Sequence, residues 1–329
     1  MKHSAKLLVE TSKRICQMSS EAANTRVDFS ARDQEGEVAF YVLLWKRKGI
    51  TLEMFDDYWR DVHGPVCARL PGQYQYWQYH VAHNEGGIWP ETDGINSVST
   101  PEEQFDGIAE LTFKSAEDRN IWFKAAAILM DDEHNIFSKA IGYNTNPGNS
   151  ITYCDGIVNG QPNGKALASL TKLLVMIRKK DDVSVEDFRK FLSKDYAAEI
   201  AKSPYILKLR LHLFEEVDNT RPPAAGVAHG EDAELNYQAA IEICFEDKLN
   251  MENFFKYCPS YSNACQDQAK YIKDFYTFPN RSTYTFVYDG QMTLSGKRSS
   301  TVAGLISSIG AINQLEEDVM DLMIGKAGR

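Results

Sequence analysis

The residues whose types could do chemistry recur at alternate positions along strand-like segments. Over 206–214, Lys208, Arg210, His212 and Phe214 alternate with Leu207, Leu209, Leu211 and Leu213; over 75–81, Tyr76, Gln78 and His80 alternate with Trp77 and Tyr79. Two further segments, FDGIAELTF at 105–113 and YQAAIEICF at 237–245, set Glu110 and Glu242 among apolar neighbours. Successive side chains of a strand point to opposite faces. The leucines therefore belong against helices and the cationic set on the other face. Read the same way, Trp77 and Tyr79 lie on the helix side, with Tyr76, Gln78 and His80 opposite. Glu110, Glu242, His80, His212, Lys208 and Arg210 would then line one shared interior. A carboxyl shut away from water there could carry a proton near neutrality, or the same groups could satisfy one another as an ion-pair network.

His63 stands apart. It follows Phe55, Tyr58 and Trp59 on a helical segment that Gly64 and Pro65 are expected to end. An imidazole in that place either moves protons or caps the helix against its dipole.

The elements that must position these groups repeat. VAFYVLLW at 38–45 and TKLLVMIR at 171–178 read as buried strands 133 positions apart, each followed by a helix start at Thr51 or Ser184. The same offset relates Phe55 to Phe188 and Pro71 to Pro204, whereas an offset of 132 relates His80 to His212 and Trp122 to Phe254. Each copy reads strand, helix, strand, strand, helix, strand, the ferredoxin-like order, and closes on a short strand ending in Asp-Gly. The fold class is α+β: two fused ferredoxin-like units packing bare face to bare face as an intrachain dimeric α+β barrel. The expected divisions are an arm at 1–37 with a short helix over 5–18, units at 38–156 and 169–290 joined by a connector at 157–168, and an amphipathic helix within 291–329. That helix, carrying Leu305, Ile309, Ile312 and Leu315, suits docking on the barrel or a homodimer contact. The long segments 84–104 and 215–235 read as lids or disordered tips.

A net charge of -10 argues against nucleic acid and an anionic membrane as partners, and no segment is long and apolar enough for a membrane span or signal-peptide core. Six cysteines without a CxxC pair fit reduced thiols in a cytoplasm and give no metal site. Asp131, Asp132, Glu133 and His134 point around a helix and read as a solvated face, and His83, His134 and His229 have no partner at ligand spacing.

Residues 55–74, FDDYWRDVHGPVCARLPGQY, resemble the signature of the EthD family: an aromatic helix, His-Gly-Pro, then Leu-Pro-Gly before the second strand. The second copy keeps the framework but has Tyr196-Ala197-Ala198 in place of His63-Gly64-Pro65. The resemblance implies cofactor-independent acid/base chemistry, a lyase or isomerase acting on a small hydrophobic carbonyl- or carboxyl-bearing substrate, in secondary metabolism or degradation. In that reading His63, His80, Glu110 and His212 are catalytic, and Tyr58, Tyr76, Gln78, Trp45, Lys208, Arg210 and Glu242 bind substrate. Related barrels bind haem, so a haem-dependent dehydratase or peroxidase with His80 or His212 as axial ligand is the alternative, and a non-catalytic ligand-binding protein the third.

Overall fold

The computed structural model describes residues 31, 34–156, 170–221 and 224–326. The helix expected over 5–18 and the connector at 157–168 lie outside them. The first unit runs β1 (Val38–Lys46), helix α1 (Leu52–Tyr58, continued by a π-helical turn Trp59–His63 and by Gly64–Cys67), β2 (Gln75–Val81), β3 (Gly107–Phe113), α2 (Ala116–Ala125), α3 (Ala127–Ile136) and β4 (Phe137–Asn144), followed by β5 (Ser150–Asp155). The second runs β6 (Thr171–Lys179), α4 (Val185–Lys190, a π turn Phe191–Tyr196, then Ala197–Ile200), β7 (Ile206–Leu213), β8 (Ala239–Phe245), α5 (Lys248–Tyr257), α6 (Pro259–Ala264), α7 (Gln268–Tyr271) and β9 (Ile272–Tyr288). Thr51 and Ser184 cap α1 and α4 as their sequence positions predict, accepting from the amides of Met54 and Asp187.

The sheet order β4-β1-β3-β2-β9-β6-β8-β7-β5 shows how the units join. The closing strand of the second unit is not short: β9 pairs with β6 through residues 272–279, then continues along β2 through residues 280–287. The first unit does the same with two strands, β4 pairing with β1 and β5 with β7. Each unit thus lends its last strand to the free edge of the other, so neither β2 nor β7 is left as an open edge. The structure is two ferredoxin-like units closed into one α+β barrel.

Three apolar layers follow. Tyr41, Trp77, Tyr79, Leu174, Met176 and Phe278 belong to the barrel interior, while the helices of each unit pack on the outer faces. Leu209, Leu211 and Leu213 lie in the second unit's helix layer, and Ala109, Leu111 and Phe113 in the first unit's, as alternation predicts. Leu207 is only half-buried, at the irregularity between Ile206 and Lys208.

Strand β2 is reversed from expectation. Trp77 and Tyr79 face the barrel interior, whereas Tyr76 packs in the helix layer and His80 stacks on Trp59 of α1 at 4.6 Å. Trp77 pairs with Glu110 and Arg210 with Glu242, so Trp77, not Tyr76 or Gln78, is the counterpart of Arg210. The one-residue slip between the copies falls after β2. Placing it before His80 turned every β2 side chain to the wrong face.

The barrel interior is closed by an ion network. Glu110 Oε1 meets Arg210 Nε at 2.8 Å and His212 Nε2 at 3.1 Å, and its Oε2 accepts from the Tyr79 hydroxyl at 2.9 Å. Glu242 holds Lys172 at 2.5 Å and Lys208 at 3.1 Å, with Asp155 3.6 Å from the same Lys208 ammonium. All are buried. Burial raises the Glu110 pKa, but His212 and Arg210 outweigh it and hold the carboxyl below the usual carboxylate range.

Burial also pushes the pKa values of His80 and His212 below the ordinary histidine value. The unfolded chain therefore takes up protons that the folded one refuses, and the stability these residues contribute is present above about pH 6.5 and lost as pH falls through it. Asp56 adds a second loss below about pH 4: burial raises its pKa, but His80 and Arg281 bring it down to about 2. The thermal midpoint should be flat from about pH 8 to 7 and then fall steadily to about pH 3. A midpoint that rises on acidification from neutrality contradicts this.

The C-terminal segment departs from a single amphipathic helix. It forms β10 (Gln291–Met292), α8 (Leu294–Arg298), α9 (Ser300–Ile309) and α10 (Glu317–Met323). Gly310, at φ +72°, ends α9 in the left-handed conformation that favours glycine. Leu294, Ala303 and Ile306 are buried, and Arg69 of the first unit donates to the Gly296 and Lys297 carbonyls, so the segment docks beside α1. Leu305, Ile309, Ile312 and Leu315 are exposed.

Candidate active site in the helix layer of the first unit

His63 is buried, but it does not end a helix. Gly64 keeps helical angles, its amide donating five residues back to the Trp59 carbonyl, and the chain turns on through Pro65, which has no amide to place. Gly64 serves close approach instead: a Cβ there would lie 2.6 Å from Phe286 of β9. The π turn is matched in α4, where Tyr196 occupies the place of His63 and packs against Phe191 and Phe275. The His-Gly-Pro sequence stands in the first unit, with Tyr196-Ala197-Ala198 at the matching place in the second.

The His63 Nδ1 lies 2.8 Å from Asp132 Oδ2 on α3. Asp132 Oδ1 accepts from the Tyr58 hydroxyl at 2.6 Å and from Asn135 at 3.1 Å. The hydrogen bond from His63 holds the Asp132 carboxyl well below the usual carboxylate range, and the bond to Asp132 pushes the Tyr58 hydroxyl up to about 12. An ionised carboxylate only accepts, so Nδ1 carries a proton towards it, and in the neutral form of the ring the lone pair is on Nε2. Among the described residues Nε2 has no hydrogen-bond partner.

His63 lines a cavity of about 70 Å³ between α1, α2, α3 and the outer face of β1, β3 and β4. Its walls are mostly apolar: Val42 and Leu44 from β1, Ala109 and Leu111 from β3, Trp59, Tyr76, Trp122 and Phe137. Three polar groups share it with His63, namely Glu133, Arg221 and His229. The last two come from the second unit. Residues of its 215–235 segment run beside β4, with Lys139 bridged to Ala228, and the His229 Nε2 meets Glu133 Oε2 at 2.5 Å. The 84–104 segment does the reciprocal, bridging Asn96 to Asp274 and burying Trp89 in the second unit's core. The described residues of both segments are therefore docked straps rather than disordered tips.

The structure divides the expected site residues. His63 and Tyr76 line this cavity, Tyr58 stays outside it and reaches the site only through its bond to Asp132, and Gln78 supports it by donating to the Trp59 carbonyl at 2.9 Å and to the Tyr76 hydroxyl at 2.8 Å. His80 lies behind Trp59, held by Asp56 at 2.7 Å, and does not line the cavity. Glu110, His212, Lys208, Arg210 and Glu242 are on the opposite face of the sheet, bonded within the barrel interior. They cannot assist His63 directly. Trp45 caps the barrel end, its Nε1 bonded to the Glu102 carbonyl at 3.0 Å and Lys139 lying 4.3 Å from its ring. The groups that sequence reasoning missed are Asp132, Glu133, Arg221 and His229. Asp131 and His134 are exposed as a solvated face predicts, but Asp132 and Glu133 turn inward.

Neither proposed haem ligand fits an axial role. His212 has both ring nitrogens engaged, with Ser150 at 3.0 Å and Glu110 at 3.1 Å, and its ring stacks on Phe214. His80 is held between Asp56, Gln78 and Trp59. Among the described residues no cluster of His, Cys, Asp or Glu could hold a metal ion, and no helix is long and apolar enough to cross a membrane.

Residues 47–140 match the model of the EthD domain family. Among solved structures, the chain is similar to an anthrone oxidase-like protein at 10% identity (TM-score 0.46, covering 79% of this chain and 96% of that one). It is also similar to a candidate monooxygenase from Lactobacillus acidophilus NCFM at 12% identity (TM-score 0.44, 78% and 96%). A third is a dye-decolorizing peroxidase from Bacteroides thetaiotaomicron VPI-5482 at 12% identity (TM-score 0.41, 82% and 95%). No curated relative matches the chain.

Proposed function

We propose, from the EthD domain that residues 47–140 form, that the first unit is a cofactor-independent acid/base site, a lyase or isomerase for a small hydrophobic carbonyl- or carboxyl-bearing substrate. The observation that carries this reading is the His63–Asp132 pair set on an apolar cavity, with Nε2 lacking a hydrogen-bond partner among the described residues. Nε2 takes a proton from the carbon next to a carbonyl or carboxyl group. The imidazolium formed is stabilised by Asp132, in the way a buried carboxylate supports the histidine of a hydrolase triad. Returning that proton to another carbon isomerises the substrate; returning it to a departing hydroxyl releases water. Tyr58 fixes the Asp132 carboxylate, and the apolar walls keep bulk water from the proton in flight.

Asp132→Asn tests the pairing. The amide can accept through its oxygen but no longer stabilises a positive imidazole, so exchange of substrate Cα protons in D₂O, followed by NMR on a panel of short oxo and hydroxy acids, should fall by roughly 10²- to 10⁴-fold. Tyr58→Phe, which keeps the carboxylate, should cost about tenfold or less. Exchange unchanged in Asp132→Asn would remove the pair from the mechanism.

A further inference from the structure

The 215–235 strap does more than close the cavity, because it delivers a cation to it. The Arg221 guanidinium carbon lies over the Phe40 ring, 5.1 Å from its centroid, and over the Phe123 ring, 5.4 Å from its centroid, at the cavity's aromatic wall. Strand β4 leaves room for it: a Cβ on Gly142 would stand 2.9 Å from Arg221 Nη1 and 2.4 Å from Phe40 Cε2. The two carboxylates that act on Arg221 are engaged elsewhere, Glu133 with His229 at 2.5 Å and Asp218 with the Thr220 hydroxyl at 2.6 Å. Among the described residues none lies within ion-pair distance of it. Burial pushes its pKa down, the mark of a charge taken from water without full compensation.

A planar guanidinium held on aromatic faces, without a protein carboxylate, matches a ligand carboxylate through two parallel hydrogen bonds. The geometry points to Arg221 as the anchor of a substrate carboxylate, so that the substrate class is a small carboxylic acid turned by His63 at a neighbouring carbon. This rests on the acid/base reading of the same cavity and narrows it. An anchored carboxylate is stabilised in the ground state and is a poor leaving group as carbon dioxide, which favours isomerisation or dehydration over decarboxylation. The size is limited too. About 70 Å³ is less than half of the roughly 150 Å³ that holds benzene, so short-chain acids fit and ring acids need the strap to lift.

The test uses two probes of one shape, acetate and acetamide, titrated into the full chain with tryptophan fluorescence as readout, since Trp59 and Trp122 line the cavity. Acetate should bind at least about tenfold more tightly than the amide. Arg221→Met should bring the two within about twofold, with thermal melting unchanged, and Arg221→Lys should restore part of the preference as a point charge. Equal binding of acid and amide, no binding of either, or a preference that survives Arg221→Met overturns the anchor. A clear acid preference in a protein that exchanges no Cα proton keeps the anchor and instead sinks the catalytic reading.

Discussion

Replacing His63 with Gln should lower proton transfer by the first unit by about 10²- to 10⁴-fold in Cα exchange, with the protein still folded. Glutamine is close in size, and its amide nitrogen can still donate to the Asp132 carboxylate that now sits 2.8 Å from Nδ1. What it lacks is a basic lone pair in the place of Nε2. The structural loss is limited to the edge contact of the imidazole with Phe137 at 5.7 Å and a little packing, about 1 kcal/mol on the usual scale for a conservative change. Activity and stability should therefore separate: exchange vanishes and the melting curve hardly moves. If exchange persists at the parent rate, His63 is a buried structural histidine and the cavity is at most a binding site.

The largest effect on stability lies on the other face of the sheet. Arg210→Met and Glu110→Gln should each destabilise by about 3–5 kcal/mol, because each takes the nearest opposite charge away from a buried ion. Against a total of roughly 5–15 kcal/mol for a folded domain, either loss is severe. The double variant should be markedly less damaged than the sum of the singles, since neither charge is then stranded. Denaturant unfolding measures all three. Exchange per folded molecule should be unchanged throughout, as the barrel network does not reach the His63 cavity. Single variants within about 0.5 kcal/mol of the parent would mean that the network is hydrated and contributes little.

The repeat, the strand order and the polar faces of β3 and β7 were legible because they depend on periods of two and on offsets preserved over many residues. Strand β2 was not, and the reason is specific. A histidine at 80 and another at 212 invited an alignment that moved the slip ahead of the strand, whereas hydrogen-bond register pairs Tyr79 with Ile108 and His212 with Ala240 and so makes Tyr79 the counterpart of His212. One position decides a face. The stop expected at Gly64-Pro65 failed for a different cause: the π turn passes the Gly64 amide to Trp59, and glycine is required there by Phe286 rather than by a cap.

The candidate site was half legible. His63 announced itself through its motif, but Asp132 is 69 residues away and sits in a run of acidic residues that looks solvated as a whole. Only the packing of α3 on α1 singles out the two that turn inward. Arg221 and His229 belong to the other unit, and nothing local in 215–235 shows that it bridges to β4. The second unit has Tyr196, packed on Phe191 and Phe275, where the first has His63, and it contributes Arg221 and His229 to the lining of the first unit's cavity.

Ligand binding by the proposed site should occur in the helix-layer cavity of the first unit and not in the barrel interior between the units. Long-range ¹⁵N–¹H NMR of ¹⁵N-histidine-labelled protein tests it most directly, because it reads the protonation of each ring nitrogen as a small carboxylic acid is added. His63 should be found with its proton on Nδ1, and its Nε2 and the ring of His229 should shift on titration while His80 and His212 stay still. Shifts confined to His212, with His63 unmoved, would place the ligand in the barrel interior and contradict it.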